Sequence, residues 1–129
     1  MQTSRGSTLK GVITISLMAV NVVFWVPILL VVALAKLLIP LAAWRHWTSA
    51  LMIWIAQAWI SCNGAIFGLM GALRLEVEGV AGLDPRGWYL VLSNHRSWVD
   101  ILVLQQAFNR RIPFLKFFLK QELIWVPFL

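Results

Sequence analysis

The sequence has little cysteine and little charge. Of its 129 residues one, Cys62, is a cysteine and 12% are charged, whereas 60% are hydrophobic. A single thiol excludes an intramolecular disulfide, and one cysteine with two histidines leaves no cluster at zinc-site spacing. Charge this sparse lies well below the share found in ordinary soluble domains. The composition therefore excludes a disulfide scaffold or zinc module and points to a membrane.

The charge that is present is mainly positive. Eleven basic side chains stand against five acidic ones, for a formal net charge of +6. The basic residues are scattered, without a dense run or a recognisable nucleic-acid-reading motif. Several of them flank apolar segments, where they can attract anionic lipid headgroups. We therefore expect a lipid bilayer, and no nucleic acid, as a partner.

Two long uncharged segments occupy the first part of the chain, at residues 12–35 and 47–73. A helix needs about 20 apolar residues to cross the hydrocarbon core of a bilayer, and both segments exceed that length. They predict a membrane-anchoring helical hairpin over residues 1–73, with a kink at Pro27, which lacks a backbone N–H. A positive-inside bias places the part after the hairpin on the cytoplasmic side of the cell (inner) membrane.

The sequence leaves open whether the hairpin crosses the bilayer or dips into one leaflet. Tryptophan prefers the headgroup region, yet Trp25, Trp54 and Trp59 lie well inside the two segments, which favours dipping. Gly64 and Gly68 have the G-x-x-x-G spacing that lets two membrane helices approach closely, although this spacing is also common by chance in apolar sequence.

After the hairpin the pattern changes. Residues 75–80 alternate apolar and polar side chains and residues 88–92 are an apolar run, both typical of strands. Residues 97–108 indicate a helix that ends at 109–111, and a further strand is expected at 112–118. Strand, helix and strand in this order predict an α/β domain. The predicted fold class is thus α/β, with a membrane helical hairpin before the start of an α/β domain.

A base and a carboxylate, His95 and Asp100, follow the second expected strand. Histidine suits proton abstraction because its ordinary pKa lies near neutrality, and a carboxylate can fix the tautomer of the imidazole. Five positions along an ideal helix turn by about 500°, so the two side chains can meet only if His95 precedes the helix and Asp100 lies in its first turn. Ser97 as N-cap gives that arrangement, but Ser97 and Asp100 also form a capping-box pattern that needs no catalysis.

The block from Asn94 to Asp100, together with residues 116–128, resembles the glycerolipid acyltransferases typified by 1-acylglycerol-3-phosphate acyltransferase. The resemblance covers residues 74–129. It implies that His95 is the general base, that Asp100 orients it, and that Asn94 supports the turn, with Lys120 as a weaker candidate for binding substrate phosphate. It implies no metal and no cofactor, with acyl-CoA or acyl-carrier protein as the acyl thioester donor.

The reaction implied by this resemblance moves a fatty acyl group to the hydroxyl of a lysophospholipid acceptor, foremost 1-acylglycerol-3-phosphate. The later family blocks, G-x-x-F-x-x-R and E-G-T-R, do not occur in the sequence. On this basis residues 74–129 are expected to be the N-terminal part of a truncated acyltransferase domain that has no turnover alone. The alternative is a non-catalytic two-helix membrane protein, or inactive fragment, that binds lipid or partners.

Overall fold

The computed structural model describes residues 2–71, 75–94 and 96–118, with side chains from residue 6 onwards. Three α-helices follow one another along this part of the chain: α1 (Gln2–Leu38), α2 (Ala42–Met70) and α3 (Trp98–Phe108). α1 and α2 pack as an antiparallel hairpin, and α3 packs on α2. Within the described residues, α2 is therefore the central element.

The connection between α1 and α2 is only three residues long, because both helices extend into the eleven residues that separate the two uncharged segments. Pro40 explains where this connection begins. The residue before a proline is disfavoured in helical conformation, and α1 accordingly ends at Leu38. Leu41 then takes an extended conformation (φ −75°, ψ 130°) as the N-cap of α2. Its carbonyl oxygen accepts the backbone N–H of Arg45 at 2.9 Å. Pro27 lies inside α1 without ending it.

The interface between α1 and α2 contains several buried polar side chains. Thr14, Asn21, Thr48 and Asn63 are all buried. The two threonine hydroxyls donate to carbonyls of the preceding turn of their own helices. The two asparagines join the helices, since Asn21 Nδ2 donates to Asn63 Oδ1 at 2.8 Å. Each buried amide therefore has a partner, which is the condition for burying a polar group at low cost.

The outer surface of the hairpin is apolar, the reverse of a soluble protein. Large apolar side chains of α1 are exposed from Leu9 through Val23 (71% exposed) to Leu38 (69%). A soluble monomer rarely exposes so large a contiguous apolar surface. Both α1 and α2 are long and apolar enough to cross a membrane. These two helices are consistent with the predicted membrane hairpin.

α2 ends in a motif that its sequence explains. Gly71 has a left-handed conformation (φ 60°), which glycine adopts without a steric penalty, and its N–H donates to the carbonyl oxygens of Gly68 and Phe67. Gly64, about two turns before Gly71, faces α3: a Cβ there would overlap the Gln106 side chain, whereas a Cβ at Gly68 would meet nothing within 4 Å. The glycine spacing thus makes room for a side chain of α3 at Gly64.

The α/β prediction is wrong: the described part of the domain holds one helix and no strand in residues 75–94 and 96–118. A strand exists only where a neighbour completes its ladder of hydrogen bonds, and no described segment pairs with 75–80, 88–92 or 112–118. Without a pairing partner, residues 88–92 leave apolar side chains in the open: Leu90 and Leu92 are 76% and 85% exposed. Apolar strand-like sequence alone did not produce a sheet.

Candidate active site

The first turn of α3 positions Asp100. Ser97 is the N-cap, in an extended conformation (φ −154°, ψ 163°), and Trp98 is the first helical residue, as the sequence predicted. The Asp100 side chain turns back over the helix start, where its Oδ2 accepts the N–H groups of Arg96 at 2.5 Å and Ser97 at 2.7 Å. Ser97 and Asp100 form a capping box.

This arrangement fixes the Asp100 carboxylate in one orientation. Two backbone donors hold one of its oxygens, and the positive end of the α3 dipole stabilises its negative charge. Such contacts satisfy N–H groups that every helix start leaves unpaired, which is a structural role. They also preorganise a carboxylate, which is what a residue that orients a catalytic histidine requires.

The other end of α3 is joined to α2 by polar contacts, a feature that the sequence reasoning missed. Gln106 Nε2 donates to the carbonyl oxygen of Ile60. Asn109 Nδ2 donates to Ser61 Oγ at 2.9 Å and approaches the Gln57 carbonyl oxygen at 3.4 Å. The sequence of α2 did contain a signal for this contact. Gln57, Ser61 and Gly64 are spaced by four and three residues, so they form a polar and small-residue face on one side of the helix.

A groove opens beside this junction. Its volume is about 450 Å³, within the range of small-molecule sites. The lining combines polar, apolar and glycine positions of α2 with residues around the end of α3: Ser61, Gly64, Phe67, Gly68, Leu75, Gln106, Asn109 and Arg111. Asn109 Oδ1 is buried here without a hydrogen-bond partner in the described part of the chain.

One comparison with known proteins bears on the second part of the chain. Residues 74–129 match the Acyltransferase family model. Searches of curated proteins and of solved structures gave no match to the chain. This segment is therefore similar to the Acyltransferase family, and the match supports acyl transfer as its general chemistry.

All the predicted site residues lie inside the matched segment, but the structure describes only some of them. Asp100 lies in the first turn of α3, as the predicted pairing requires, and Asn94 is exposed in the extended segment before it. His95 and Lys120 lie outside the described residues. In the chain His95 is three positions before the first residue of α3, and its contact with Asp100 remains a prediction.

Proposed function

We propose that residues 74–129 belong to a membrane-bound acyltransferase that transfers a fatty acyl group to the hydroxyl of a lysophospholipid. The family match carries this proposal, because it covers the whole block from Asn94 to Asp100. The preorganised Asp100 carboxylate and the apolar surface of the hairpin support it. Activity of this kind would serve phospholipid biosynthesis or remodelling.

In the proposed reaction the acceptor hydroxyl oxygen attacks the carbonyl carbon of an acyl thioester. His95 takes the hydroxyl proton as the C–O bond forms, and Asp100 stabilises the resulting imidazolium. The C–S bond then breaks, and the proton passes to the leaving thiolate. The donor is acyl-CoA or acyl-carrier protein, and no further cofactor takes part.

The acceptor proposed first is 1-acylglycerol-3-phosphate, which the reaction converts to phosphatidic acid. This choice follows the resemblance of the Asn94–Asp100 block. Asn94 is proposed to support the turn that carries His95, and Lys120 to contact the substrate phosphate. The proposed location is the cell (inner) membrane with the catalytic part facing the cytoplasm, which suits an acceptor that is itself a membrane lipid.

A second candidate function is favoured by the contacts of Asp100. Because its Oδ2 satisfies two backbone N–H groups, the Ser97–Asp100 pattern is explained without any chemistry. The chain would then be a non-catalytic membrane protein that binds lipid or a partner. The two functions differ in whether His95 is needed for anything beyond folding.

The deciding experiment measures acyl transfer in membranes from cells that produce the whole protein carrying this sequence. Labelled acyl-CoA, or acyl-carrier protein in a parallel assay, is supplied with 1-acylglycerol-3-phosphate, and labelled phosphatidic acid is quantified. We expect His95→Ala to remove nearly all turnover while the amount of protein in the membrane stays unchanged. Equal turnover in the wild type and His95→Ala would favour the non-catalytic function.

A further inference from the structure

A hydrogen-bonded turn comes directly before Trp88. The Gly87 N–H donates to the Asp84 carbonyl oxygen at 2.9 Å, which closes a β-turn. The Asp84 side chain accepts the N–H of Arg86 at 2.9 Å, and the Asp84 N–H donates to Tyr89 Oη at 2.7 Å. These bonds hold the residues on both sides of Trp88, whereas the Trp88 side chain is fully exposed. The turn therefore presents a tryptophan to the surroundings of the protein.

The apolar exposure continues beyond the tryptophan. Trp88, Leu90 and Leu92 are largely exposed, and Val91 between the two leucines is partly buried. Such alternation is expected when every second side chain lies on the same face of an extended chain. Trp88, Leu90 and Leu92 are called the 88–92 face below. A contiguous apolar surface of this kind marks a site of interaction.

The charges on either side of the 88–92 face are positive. Arg86 precedes the face and Arg96 follows it, and both arginines are exposed. The sequence has no acidic side chain between Asp84 and Asp100, and these two carboxylates accept backbone N–H groups of their own turns. The surroundings of the face therefore complement an anionic partner.

A lipid surface fits these features better than a second copy of the chain. In a two-fold symmetric contact, Arg86 and Arg96 of one copy would approach the same arginines of the other, and like charges repel. Pairing of two exposed backbone edges would leave the side chains of the 88–92 face uncovered. A membrane surface offers apolar cover for the tryptophan and the leucines, and anionic headgroups for the arginines.

The place of the 88–92 face in the fold agrees with membrane contact. The face is followed closely by α3, which is 11 residues or about 16 Å long and packs on α2 of the hairpin. Residues 88–92 form no backbone hydrogen bond with other described residues, so their N–H and C=O groups need water and cannot enter the hydrocarbon core. The headgroup region supplies that water and is also where tryptophan is enriched.

We propose that the 88–92 face is a second membrane contact, separate from the hairpin, which enters the headgroup region of a bilayer that contains anionic lipids. Trp88 and the two leucines cover apolar parts of the lipids, and Arg86 and Arg96 contact anionic headgroups. The turn before Trp88 keeps the face in a fixed orientation. This contact does not depend on His95 or on acyl transfer.

Nitroxide labels on the full chain test the proposal. In a Cys62→Ser background, Leu90→Cys carries a label on the 88–92 face, and Glu78→Cys carries one at an exposed position before the turn. Each protein is placed, one chain per disc, in nanodiscs of phosphatidylcholine and phosphatidylserine. Electron paramagnetic resonance measures how often the label collides with oxygen, which concentrates in lipid, and with a neutral nickel chelate, which stays in water. We expect the ratio of oxygen to chelate collisions to be several-fold higher at position 90 than at position 78.

Two glycines supply matched variants for the role of the turn. Gly87→Ala brings a Cβ to 2.7 Å from the Tyr89 ring and so displaces the hydroxyl that accepts the Asp84 N–H. Gly82→Ala is the same change at a position where a Cβ meets nothing within 4 Å. We expect Gly87→Ala to lower the collision ratio at position 90 towards the ratio at position 78, and Gly82→Ala to leave it unchanged. Equal ratios in the two variants would overturn the role of the turn.

The charge requirement is tested with Arg86→Ala. A single basic residue at an anionic surface shifts the equilibrium between the inserted and the free face about fivefold. Arg86→Ala should therefore lower the collision ratio at position 90 in discs that contain phosphatidylserine and leave it unchanged in discs of phosphatidylcholine alone. The same loss in both kinds of disc would show that Arg86 does not recognise anionic lipid.

Three results would overturn the membrane contact itself. Equal collision ratios at positions 90 and 78 would leave the 88–92 face in water. Protection of position 90 from both oxygen and the chelate would mean that another part of the chain covers the face. Protection from both reagents only in discs that hold two chains would identify a second copy as the partner.

Discussion

The Asp100 side chain has two roles. Its carboxylate accepts two backbone N–H groups at the start of α3, and it is predicted to orient His95. Substitution by asparagine separates these functions, because an amide oxygen can still accept the N–H groups of Arg96 and Ser97 but carries no charge. We expect Asp100→Asn to cost less than about 1 kcal/mol of stability, the usual value of a charge at a helix start. Turnover should fall about 10³–10⁴-fold, since the imidazole loses its tautomer control and its counter-charge.

Ser97→Ala is the matched control for Asp100→Asn. It removes the N-cap side chain and should cost about 1 kcal/mol of stability while most of the activity remains. Both variants are measured by the membrane acyl-transfer assay and by thermal unfolding of the purified protein. A loss of turnover in Ser97→Ala as deep as that in His95→Ala would instead indicate a serine nucleophile. Full turnover in Asp100→Asn would leave Asp100 a capping residue only.

Alanine substitutions at Gly64 and Gly68 of α2 should differ in their effect on stability. Gly68→Ala places its methyl group in open space and should raise stability by about 1 kcal/mol, the difference in helix propensity between the two residues. Gly64→Ala brings the same gain but displaces the Gln106 side chain and its hydrogen bond to Ile60. That loss is worth about 0.5–1.5 kcal/mol, so Gly64→Ala should be close to neutral. Thermal unfolding in detergent ranks the two variants, and the opposite order would show that Gln106 does not hold α3 to α2.

At the scale of elements, the hairpin is joined by the hydrogen bond between Asn21 and Asn63. Both side chains are buried between the helices, so this bond forms where competing water is scarce. Either single change to leucine leaves one buried amide unpaired and should cost about 1–3 kcal/mol. The double variant has no unpaired buried amide at this place and should be close to the wild type in stability.

A double-mutant cycle on Asn21→Leu and Asn63→Leu isolates the strength of the pair. Interhelical side-chain hydrogen bonds in membrane proteins contribute about 0.6–1.7 kcal/mol, and we expect a coupling energy in that range. Unfolding midpoints in dodecyl sulfate titrations, followed by circular dichroism, supply the four stabilities. Additive single effects would mean that the two amides do not interact in the folded hairpin.

Elements set by local chemistry could be predicted from the sequence. The start of α3 at Ser97 follows from capping, and its end follows from Asn109 and from Arg110, whose φ of 60° leaves the helical region. The two helices of the hairpin follow from long uncharged segments. The strands could not be predicted reliably, because a strand depends on a partner that its own residues do not specify. The docking of Asn109 on α2 likewise depends on residues about 50 positions apart in the chain.

At the scale of the whole molecule, the position of α3 on α2 favours a hairpin that dips into the bilayer over one that crosses it. Asn109 contacts Gln57 and Ser61 in the middle of the uncharged segment of α2, and the exposed Arg110 and Arg111 follow directly. If α2 crossed the bilayer with that segment in the hydrocarbon core, both arginines would lie near the centre of the membrane, which costs several kcal/mol. We therefore expect the hairpin to enter one leaflet only.

Cysteine labelling tests this topology. In a Cys62→Ser background, His46→Cys places a thiol next to the connection of the hairpin, and Glu78→Cys places one after it; both positions are exposed. A membrane-impermeant thiol reagent is added to sealed vesicles of either orientation. We expect both cysteines to react from the same side. Labelling of the two positions from opposite sides would show that the hairpin crosses the bilayer.

The apolar surface of α1 also has a consequence for how this protein is made. The helix is 37 residues long and exposes large hydrophobic side chains from Leu9 to Leu38, so in water it would associate with any similar surface it met. About 45 Å of such apolar helix emerges from the ribosome before α2, its packing partner, has been synthesised. We therefore expect delivery of α1 to lipid to accompany translation, before unpartnered copies of this helix can associate with one another.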